Sequence, residues 1–241
     1  MNTSKLIIAI RSITFYVLFS IDVFVFTTLI CIASIFSLHA VQSLIRCWSR
    51  SVSILLQYVC NIRYEIEGKE NLKDLPAVIC SKHQSTWETI MFPHIFPGSR
   101  FVVKKELLKI PFYGISLRLM QPIAIDRSKN IAAMRKVIKE GKETLKAGRS
   151  IIIFPEGTRV LPHKHKQLQK GGILLAKKTG FPIIPIAHNA GSHWMRKSFL
   201  KQPGVITLVV GKKVITSNKT TEELKTELHD WLLETMKRIE K

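Results

Sequence analysis

A histidine and a carboxylate lie five positions apart in residues 81–88 (SKHQSTWE). The imidazole of His83 can act as a general base, and the carboxylate of Glu88 can hold that imidazole in one tautomer. On a continuous helix the two positions lie about 140° apart around the axis, so they would not share a face. The pair can meet only if His83 lies in a turn and Glu88 lies in the first turn of the following helix. Taken alone, the spacing also suits a surface histidine and a glutamate that favours a helix N-terminus.

Residues 154–159 (FPEGTR) form a second group with chemical potential, directly after the apolar run 151–153. Gly157 permits a tight turn and a close approach by a ligand, and Thr158 and the backbone amides can donate hydrogen bonds. Arg159 offers a planar guanidinium that suits a phosphate. A phosphate-binding turn and a plain strand-to-loop turn would use the same residue types.

Two further apolar segments end in residues of interest. Residues 122–127 (PIAIDR) end in Asp126 and Arg127, which presents a second guanidinium at the edge of a predicted sheet. Residues 181–186 (FPIIPI) also predict a strand. We expect its prolines at the strand ends rather than in a central ladder, because proline has no backbone N–H to donate.

The elements that must position these residues alternate along the chain from Tyr64 onward. Apolar runs predict strands at 77–80, 101–103, 122–125, 151–154, 183–187 and 205–210. Helices are predicted at 88–95, 106–119, 129–147, 168–179 and 221–239. This alternation indicates an α/β fold with a mostly parallel central sheet that is covered by helices.

The N-terminal part of the chain has a different character. Residues 13–38 are almost continuously apolar, and about 20 such residues suffice to span a hydrocarbon core. Asp22 is costly against lipid, so this segment either lies partly in the interface or packs on a second helix. Apolar residues at helical spacing in 41–59 predict an amphipathic helix. We therefore expect a two-helix membrane anchor in residues 1–60 and one α/β domain in residues 61–241. A cleaved signal peptide is less favoured, because apolar character resumes after the first stretch.

The net charge of +20 is unevenly distributed. Residues 1–60 carry +3, so the remainder carries +17. Such a field favours a polyanionic surface, either nucleic acid or anionic lipid headgroups. The sequence has no zinc-finger spacing, no RNP-like aromatic motif and no basic zipper, so we expect a membrane partner and no nucleic acid.

We expect neither a metal nor a cofactor. The four cysteines lie in apolar surroundings without a C-x-x-C pair: Cys31, Cys47, Cys60 and Cys80. They predict neither a metal site nor a disulfide framework, which is consistent with a reducing compartment. His163 and His165 have no acid or cysteine nearby in the sequence and indicate a solvated basic loop.

The set and order of these motifs resembles the glycerophospholipid acyltransferase family, most closely the 1-acyl-sn-glycerol-3-phosphate (lysophosphatidic acid) acyltransferases. The resemblance covers roughly residues 65–210, and it includes a block formed by residues 104–107 (KKEL) and 111–114 (PFYG). Two departures are visible. The family usually has Asp where this chain has Glu88, and it usually has Gly and Phe where this chain has Gln121 and Ala124.

The resemblance implies transfer of a fatty acyl chain from acyl-CoA or acyl carrier protein to the sn-2 hydroxyl of lysophosphatidic acid, which gives phosphatidic acid. His83 would be the general base and Glu88 its orienting acid. Backbone amides near Gly157 or Ser85 would stabilise the oxyanion. The phosphate and glycerol would be bound by a set of loop residues: Arg159, Glu156, Gly157, Thr158, Arg127, Lys105 and Lys104. Within this set, Glu156 would orient the glycerol or its neighbouring cation.

Several alternatives remain open at this point. The acceptor could be glycerol 3-phosphate, another lysophospholipid or a lyso-ornithine lipid. A non-catalytic basic lipid-binding or nucleic-acid-binding protein is a rival of another class. We expect the active domain on the cytoplasmic side of a membrane, as in a bacterial inner membrane.

Overall fold

A computed structural model describes residues 3–110 and 113–240 of the 241-residue chain. Pro111 and Phe112, which belong to the family-like block at 111–114, lie outside the described residues.

A seven-stranded sheet forms the centre of the fold, with strand order β1-β7-β6-β2-β5-β3-β4. Its strands are β1 (Ile62–Glu67), β2 (Val78–Ser81), β3 (Arg100–Lys104), β4 (Ile123–Ile125), β5 (Ile151–Ile153), β6 (Ile183–His188) and β7 (Gly204–Val210). Strands β6, β2, β5, β3 and β4 are mutually parallel, β1 is parallel to β7, and β7 is antiparallel to β6. The predicted mostly parallel α/β fold is therefore confirmed.

Eight helices surround this sheet in the described part of the chain. They are α1 (Thr3–Ser34), α2 (Leu38–Cys60), α3 (Trp87–Ile95), α4 (Tyr113–Leu119), α5 (Asn130–Lys146), α6 (Gly171–Thr179), α7 (Ala190–His193) and α8 (Thr221–Ile239). Two 3-10 turns, Lys69–Asp74 and Lys105–Lys109, complete the elements.

Two hydrophobic cores lie on opposite faces of the sheet. Ile79, Ile152 and Ile184 point into the core beneath α1, α2 and α3. Their neighbours Val78 and Ile151 point to the opposite core, which α5, α6 and α8 cover. Successive residues of a strand face opposite sides, so a sheet buried on both faces requires the continuous apolar runs seen here.

The parallel strands decide where the candidate residues lie. The chain leaves β2, β3, β4, β5 and β6 at one edge of the sheet, because their carboxyl ends point the same way. Ligand sites of parallel sheets form at this edge. The segments that follow β2, β3, β4 and β5 carry His83, Lys105, Arg127 and Glu156, and His188 is the last residue of β6.

Helix α1 is the one helix in residues 3–110 and 113–240 that is long and apolar enough to cross a membrane. It packs against α2, and Ser51 of α2 donates a hydrogen bond of 2.7 Å to the carboxylate of Asp22. Packing on a second helix therefore accommodates Asp22. Much of the remaining surface of α1 is apolar and exposed, including Ile10, Val17 and Phe24.

Helix α1 also contacts the α/β domain directly. The backbone N–H of Lys201 donates to Ser12, and its buried ammonium donates to the hydroxyl of Tyr16 at 2.7 Å. Phe15 makes an edge contact with Trp194 at a ring distance of 5.4 Å. The N-terminal half of α1 is thus fixed to the segment that follows β6.

Three local predictions differ from the structure. Strand β1 was not predicted, although its sequence IRYEIE alternates apolar and charged residues. The predicted helix at 106–119 is a 3-10 turn followed by α4, and the helix predicted at 168–179 begins at Gly171. The residues before Gly171 are held by tertiary hydrogen bonds instead, as when Gln169 donates to the carbonyl of Pro155.

The position expected for Pro185 was also wrong, because this residue lies inside the central strand β6. Its carbonyl accepts a hydrogen bond from Gly211. The antiparallel ladder with β7 ends at the neighbouring pair Ile186 and Val210, because Pro185 has no N–H with which to continue it.

Candidate active site

His83 lies in the loop between β2 and α3, and Glu88 is the second residue of α3. This is the turn-then-helix arrangement that the five-residue spacing requires. The Nδ1 atom of His83 lies 2.8 Å from the Oε1 atom of Glu88. The side chain of Glu88 is fully buried, whereas that of His83 is 15% exposed. The two residues therefore form a pair in which only the histidine is open to a ligand.

The backbone of the same loop fixes the carboxylate of Glu88. The amides of Gln84 and Ser85 donate to its Oε1 at 2.9 and 2.8 Å. Burial by itself raises the pKa of Glu88, but the electrostatic interactions with the imidazoles of His188 and His83 and the hydrogen bonds to Oε1 lower the pKa overall. Glu88 is thus held as a carboxylate, which can stabilise a positive charge on His83.

The hydrogen bond to Glu88 also assigns the tautomer of His83. A carboxylate accepts, so Nδ1 carries the proton and Nε2 carries the lone pair. The ring stacks on Phe154, with 4.0 Å between the ring centroids and 16° between the planes. His83 is therefore an oriented imidazole whose lone pair is on Nε2.

The carboxylate of Glu156 holds the loop of His83 in place. Its Oε1 pairs with the ammonium of Lys82 at 2.6 Å, and its Oε2 accepts from the amide of His83 at 3.1 Å. Lys82 and Glu156 are both about 2% exposed. Sequence analysis suggested that Glu156 orients the glycerol or a neighbouring cation. The geometry favours the cation, because both oxygens are occupied within the protein.

The residues after Glu156 bring two arginines to the site. Gly157 has a φ of +72°, a left-handed conformation that glycine adopts without strain. Its carbonyl accepts a hydrogen bond from the guanidinium of Arg127, so the loops after β4 and β5 meet here. Val160 donates to the carbonyl of His83 at 2.8 Å, which places Arg159 beside the dyad. Among the described residues, no carboxylate or carbonyl engages the guanidinium of Arg159.

The two predicted lysines lie further out and are paired with carboxylates. Lys105 bonds to Asp126, and this contact with Lys105 is the main cause that lowers the pKa of Asp126. Lys104 lies 3.7 Å from Glu106, and both side chains are about half exposed. The structure therefore connects Lys105, through Asp126, to the loop of Arg127, while the contacts of Lys104 lie in its own segment.

Near Ser85, two of the backbone amides that could stabilise an oxyanion are not available to a ligand. The backbone N–H groups of Gln84 and Ser85 are used by Glu88, and the hydroxyl of Ser85 donates to the carbonyl of Trp194 at 2.6 Å. In contrast, the amides of Thr158 and Arg159 form no hydrogen bond within the described residues. The amides of Thr158 and Arg159 are therefore available to a ligand.

The structure places His188 and Gln84 next to the dyad, and sequence analysis assigned neither of them a role in the site. His188 is buried at the end of β6 with its Nε2 4.0 Å from the Oε2 of Glu88. The amide side chain of Gln84 bonds to Glu240 near the C-terminus, which also accepts from the backbone of His163. The position of His188 at the end of an apolar strand is a local signal in the sequence. No local signal indicates that Gln84 contacts Glu240, which is 156 residues away.

Comparison with known proteins agrees with this geometry. The family model described as Acyltransferase matches residues 63–189. A 1-acyl-sn-glycerol-3-phosphate acyltransferase of Pseudomonas aeruginosa is 41% identical over 236 residues, which cover 96% of this chain and 92% of that protein.

The chain belongs to the acyltransferase family. Another member, a 1-acyl-sn-glycerol-3-phosphate acyltransferase of Borreliella burgdorferi, is 30% identical over 71% of this chain and 69% of its own length. The crystal structure of the 1-acyl-sn-glycerophosphate acyltransferase from Thermotoga maritima shares the fold, with a TM-score of 0.78 and 22% identity over 95% of this chain and 94% of that chain. The predicted family is therefore confirmed, and the chain is an enzyme of the acyltransferase class.

Proposed function

We propose that this acyltransferase esterifies the sn-2 hydroxyl of 1-acyl-sn-glycerol 3-phosphate with an acyl chain from acyl-CoA or acyl carrier protein, giving phosphatidic acid. The observation that carries the proposal is the pair of His83 and Glu88, in which a buried carboxylate holds an accessible imidazole in one tautomer. The similarity to relatives that are named for this activity supports the choice of acceptor.

In the proposed reaction, the Nε2 of His83 takes the proton of the acceptor hydroxyl as its oxygen attacks the thioester carbonyl. Glu88 stabilises the imidazolium that forms. The C–S bond then breaks, and the protonated His83 returns its proton to the leaving thiolate. No acyl-enzyme is needed, because the hydroxyl is itself the nucleophile. The amides of Thr158 and Arg159 are our candidates for the oxyanion donors.

The phosphate of the acceptor would bind between the loops that follow β4 and β5. Arg159 is the principal candidate because its guanidinium has no partner within the described residues and lies in the segment next to His83. Arg127 reaches the same turn through the carbonyl of Gly157. Lys105, and more distantly Lys104, add positive charge at this edge. Gly157 and Thr158 would permit close approach of the glycerol backbone.

We propose that residues 1–60 attach the enzyme to the membrane and that residues 61–241 form the acyltransferase domain on the cytoplasmic side, in a bacterial inner membrane. One stripe of α1 packs on the protein from Ser12 to Ile30, about 27 Å along the helix axis. Because this length is packed on α2, and its N-terminal part also on the segment that follows β6, an interfacial position of α1 is favoured over a separate crossing. The four cysteines are free, which suits a reducing compartment. Replacing the exposed Val17 and Phe24 by lysine should release the protein from vesicles, and unchanged sedimentation would contradict this role.

The proposed function is tested with a panel of acceptors in detergent, each assayed with acyl-CoA and with acyl carrier protein. Lysophosphatidic acid should be the preferred acceptor. His83→Ala should abolish transfer, whereas the control His39→Ala, at an exposed position of α2, should retain it. Activity that survives in folded His83→Ala would exclude the general-base role, and a preference for another acceptor would replace the proposed substrate.

A further inference from the structure

The carboxylate of Glu88 uses its two oxygens unequally. Oε1 accepts three hydrogen bonds, whereas Oε2 is buried and accepts none from the residues that the structure describes. An unpaired oxygen of a buried carboxylate is destabilising, because no donor offsets its desolvation. The Nε2 atom of His188 faces this oxygen at 4.0 Å.

Backbone contacts define the protonation of His188. The N–H of Ala190 donates to its Nδ1 at 3.4 Å, so Nδ1 carries the lone pair. The proton is then on Nε2, which donates to the carbonyl of Lys82 at 3.0 Å. Burial lowers the pKa of His188 more than the nearby carboxylate of Glu88 raises it, which keeps the ring neutral. The positive end of the Nε2–H dipole therefore lies between the Lys82 carbonyl and Glu88.

The surroundings hold this ring in place. His188 is fully buried, and its ring packs against Trp87 and Phe92 with centroid distances of 6.0 and 6.2 Å. Both aromatic residues belong to α3, which also carries Glu88. Lys82, whose carbonyl accepts from His188, directly precedes His83. The side chain of His188 thus contacts both the helix that carries Glu88 and the residue that precedes His83.

We propose that His188 is a positioning residue of the dyad, an inference that rests on the proposed acyl transfer. Its Nε2–H fixes the backbone next to His83 and presents a dipole to the second oxygen of Glu88. Because the ring is neutral, it does this without competing with protonated His83 for the negative charge of Glu88. A cation at this position would draw that charge away from the dyad during the reaction.

Two substitutions separate the donor of His188 from its volume. In His188→Gln, the side-chain amide places an N–H close to the position of Nε2, whereas His188→Met fills the space without a donor. In the full-length enzyme we expect kcat of His188→Gln within about threefold of the wild type. We expect kcat of His188→Met to fall about 10- to 50-fold with both KM values unchanged, because the carbonyl of Lys82 loses its donor and Oε2 of Glu88 loses the dipole that faces it.

A second measurement distinguishes positioning from general damage. In His188→Met the acid limb of the kcat–pH profile should move to lower pH, and the Nδ1 proton resonance of His83 should move upfield, as the carboxylate turns away from His83. Both should be unchanged in His188→Gln. An unaltered kcat and resonance in folded His188→Met would overturn the proposal, as would equal losses in both folded variants. If the wild type transfers no acyl chain, the proposed function fails, yet the resonance still tests His188.

Discussion

The substitution Glu88→Gln tests how the dyad works, because it removes one charge and changes few atoms. In a serine-protease triad the corresponding change from Asp to Asn lowers kcat about 10⁴-fold, since it favours the wrong tautomer of the histidine. The loop of this acyltransferase prevents that outcome. Oε1 accepts from the amides of Gln84 and Ser85 as well as from His83. A glutamine must therefore place its carbonyl, and not its NH2 group, at this position.

With the tautomer preserved, Glu88→Gln loses only the charge that stabilises the imidazolium. In a buried site a hydrogen bond to a charged partner is stronger than a neutral one. We therefore expect Glu88→Gln to lose about 2–3 kcal/mol of transition-state stabilisation, which lowers kcat about 30- to 150-fold. The new NH2 group takes the place of Oε2, where it faces the N–H of His188 instead of an acceptor. The free energy of unfolding should therefore fall by about 1–3 kcal/mol.

The assay is steady-state transfer to lysophosphatidic acid, with urea unfolding of the same preparations. The exposed Glu234 supplies a matched control, because Glu234→Gln makes the same chemical change away from the site. A loss below fivefold in kcat would refute the stabilisation of the imidazolium by Glu88. A loss of 10⁴-fold or more would refute the argument that the loop amides preserve the tautomer.

Two further predictions concern the phosphate site and the attachment of α1. Arg159→Ala should raise the KM for lysophosphatidic acid about 10- to 100-fold, because it removes charge-assisted hydrogen bonds, while the KM of the acyl donor stays constant. Equal increases in the two KM values would argue against phosphate binding. The same effect in the control Arg135→Ala, at an exposed position, would argue against it as well. Burial lowers the pKa of Lys201 to about 8, below that of a lysine in the unfolded chain. Between about pH 8 and 10 the protein therefore takes up a proton when it unfolds. Because the unfolded state binds more protons, the free energy of unfolding should rise with pH across this window. In urea titrations from pH 7 to 9.5, Lys201→Met should lack this increase, and the exposed control Lys139→Met should retain it. If the free energy of unfolding changes with pH in parallel in Lys201→Met and the wild type, Lys201 does not cause the increase.

Much of the fold was predictable because its signals are local. The apolar runs Ile151–Ile153 and Ile183–His188 need burial on both faces, which indicates a parallel sheet covered by helices. The periodicity of residues 41–59 predicted the amphipathic helix α2. Strand β1 was missed although its alternation was visible, because a short run at a change of composition is easily assigned to a loop.

The candidate site was only partly predictable. The motifs named the residues that follow the strands, and the spacing of His83 and Glu88 required a turn followed by a helix. Local sequence does not show that both oxygens of Glu156 are occupied by Lys82 and the His83 amide. It also does not show that Lys105 is paired with Asp126, since that contact depends on the pairing of β3 with β4.

The sequence by itself determined which chemistry this chain can perform. A histidine and a carboxylate at the start of a helix, and an arginine after a glycine turn, are properties of short segments whose geometry follows from backbone sterics and hydrophobic periodicity. Only the tertiary structure decided the environment of these groups. The burial of Glu88, the neutral His188 behind it and the fixation of α1 by Lys201 each join residues that are distant in the chain. Such contacts depend on how the layers pack, and packing is a property of the whole fold.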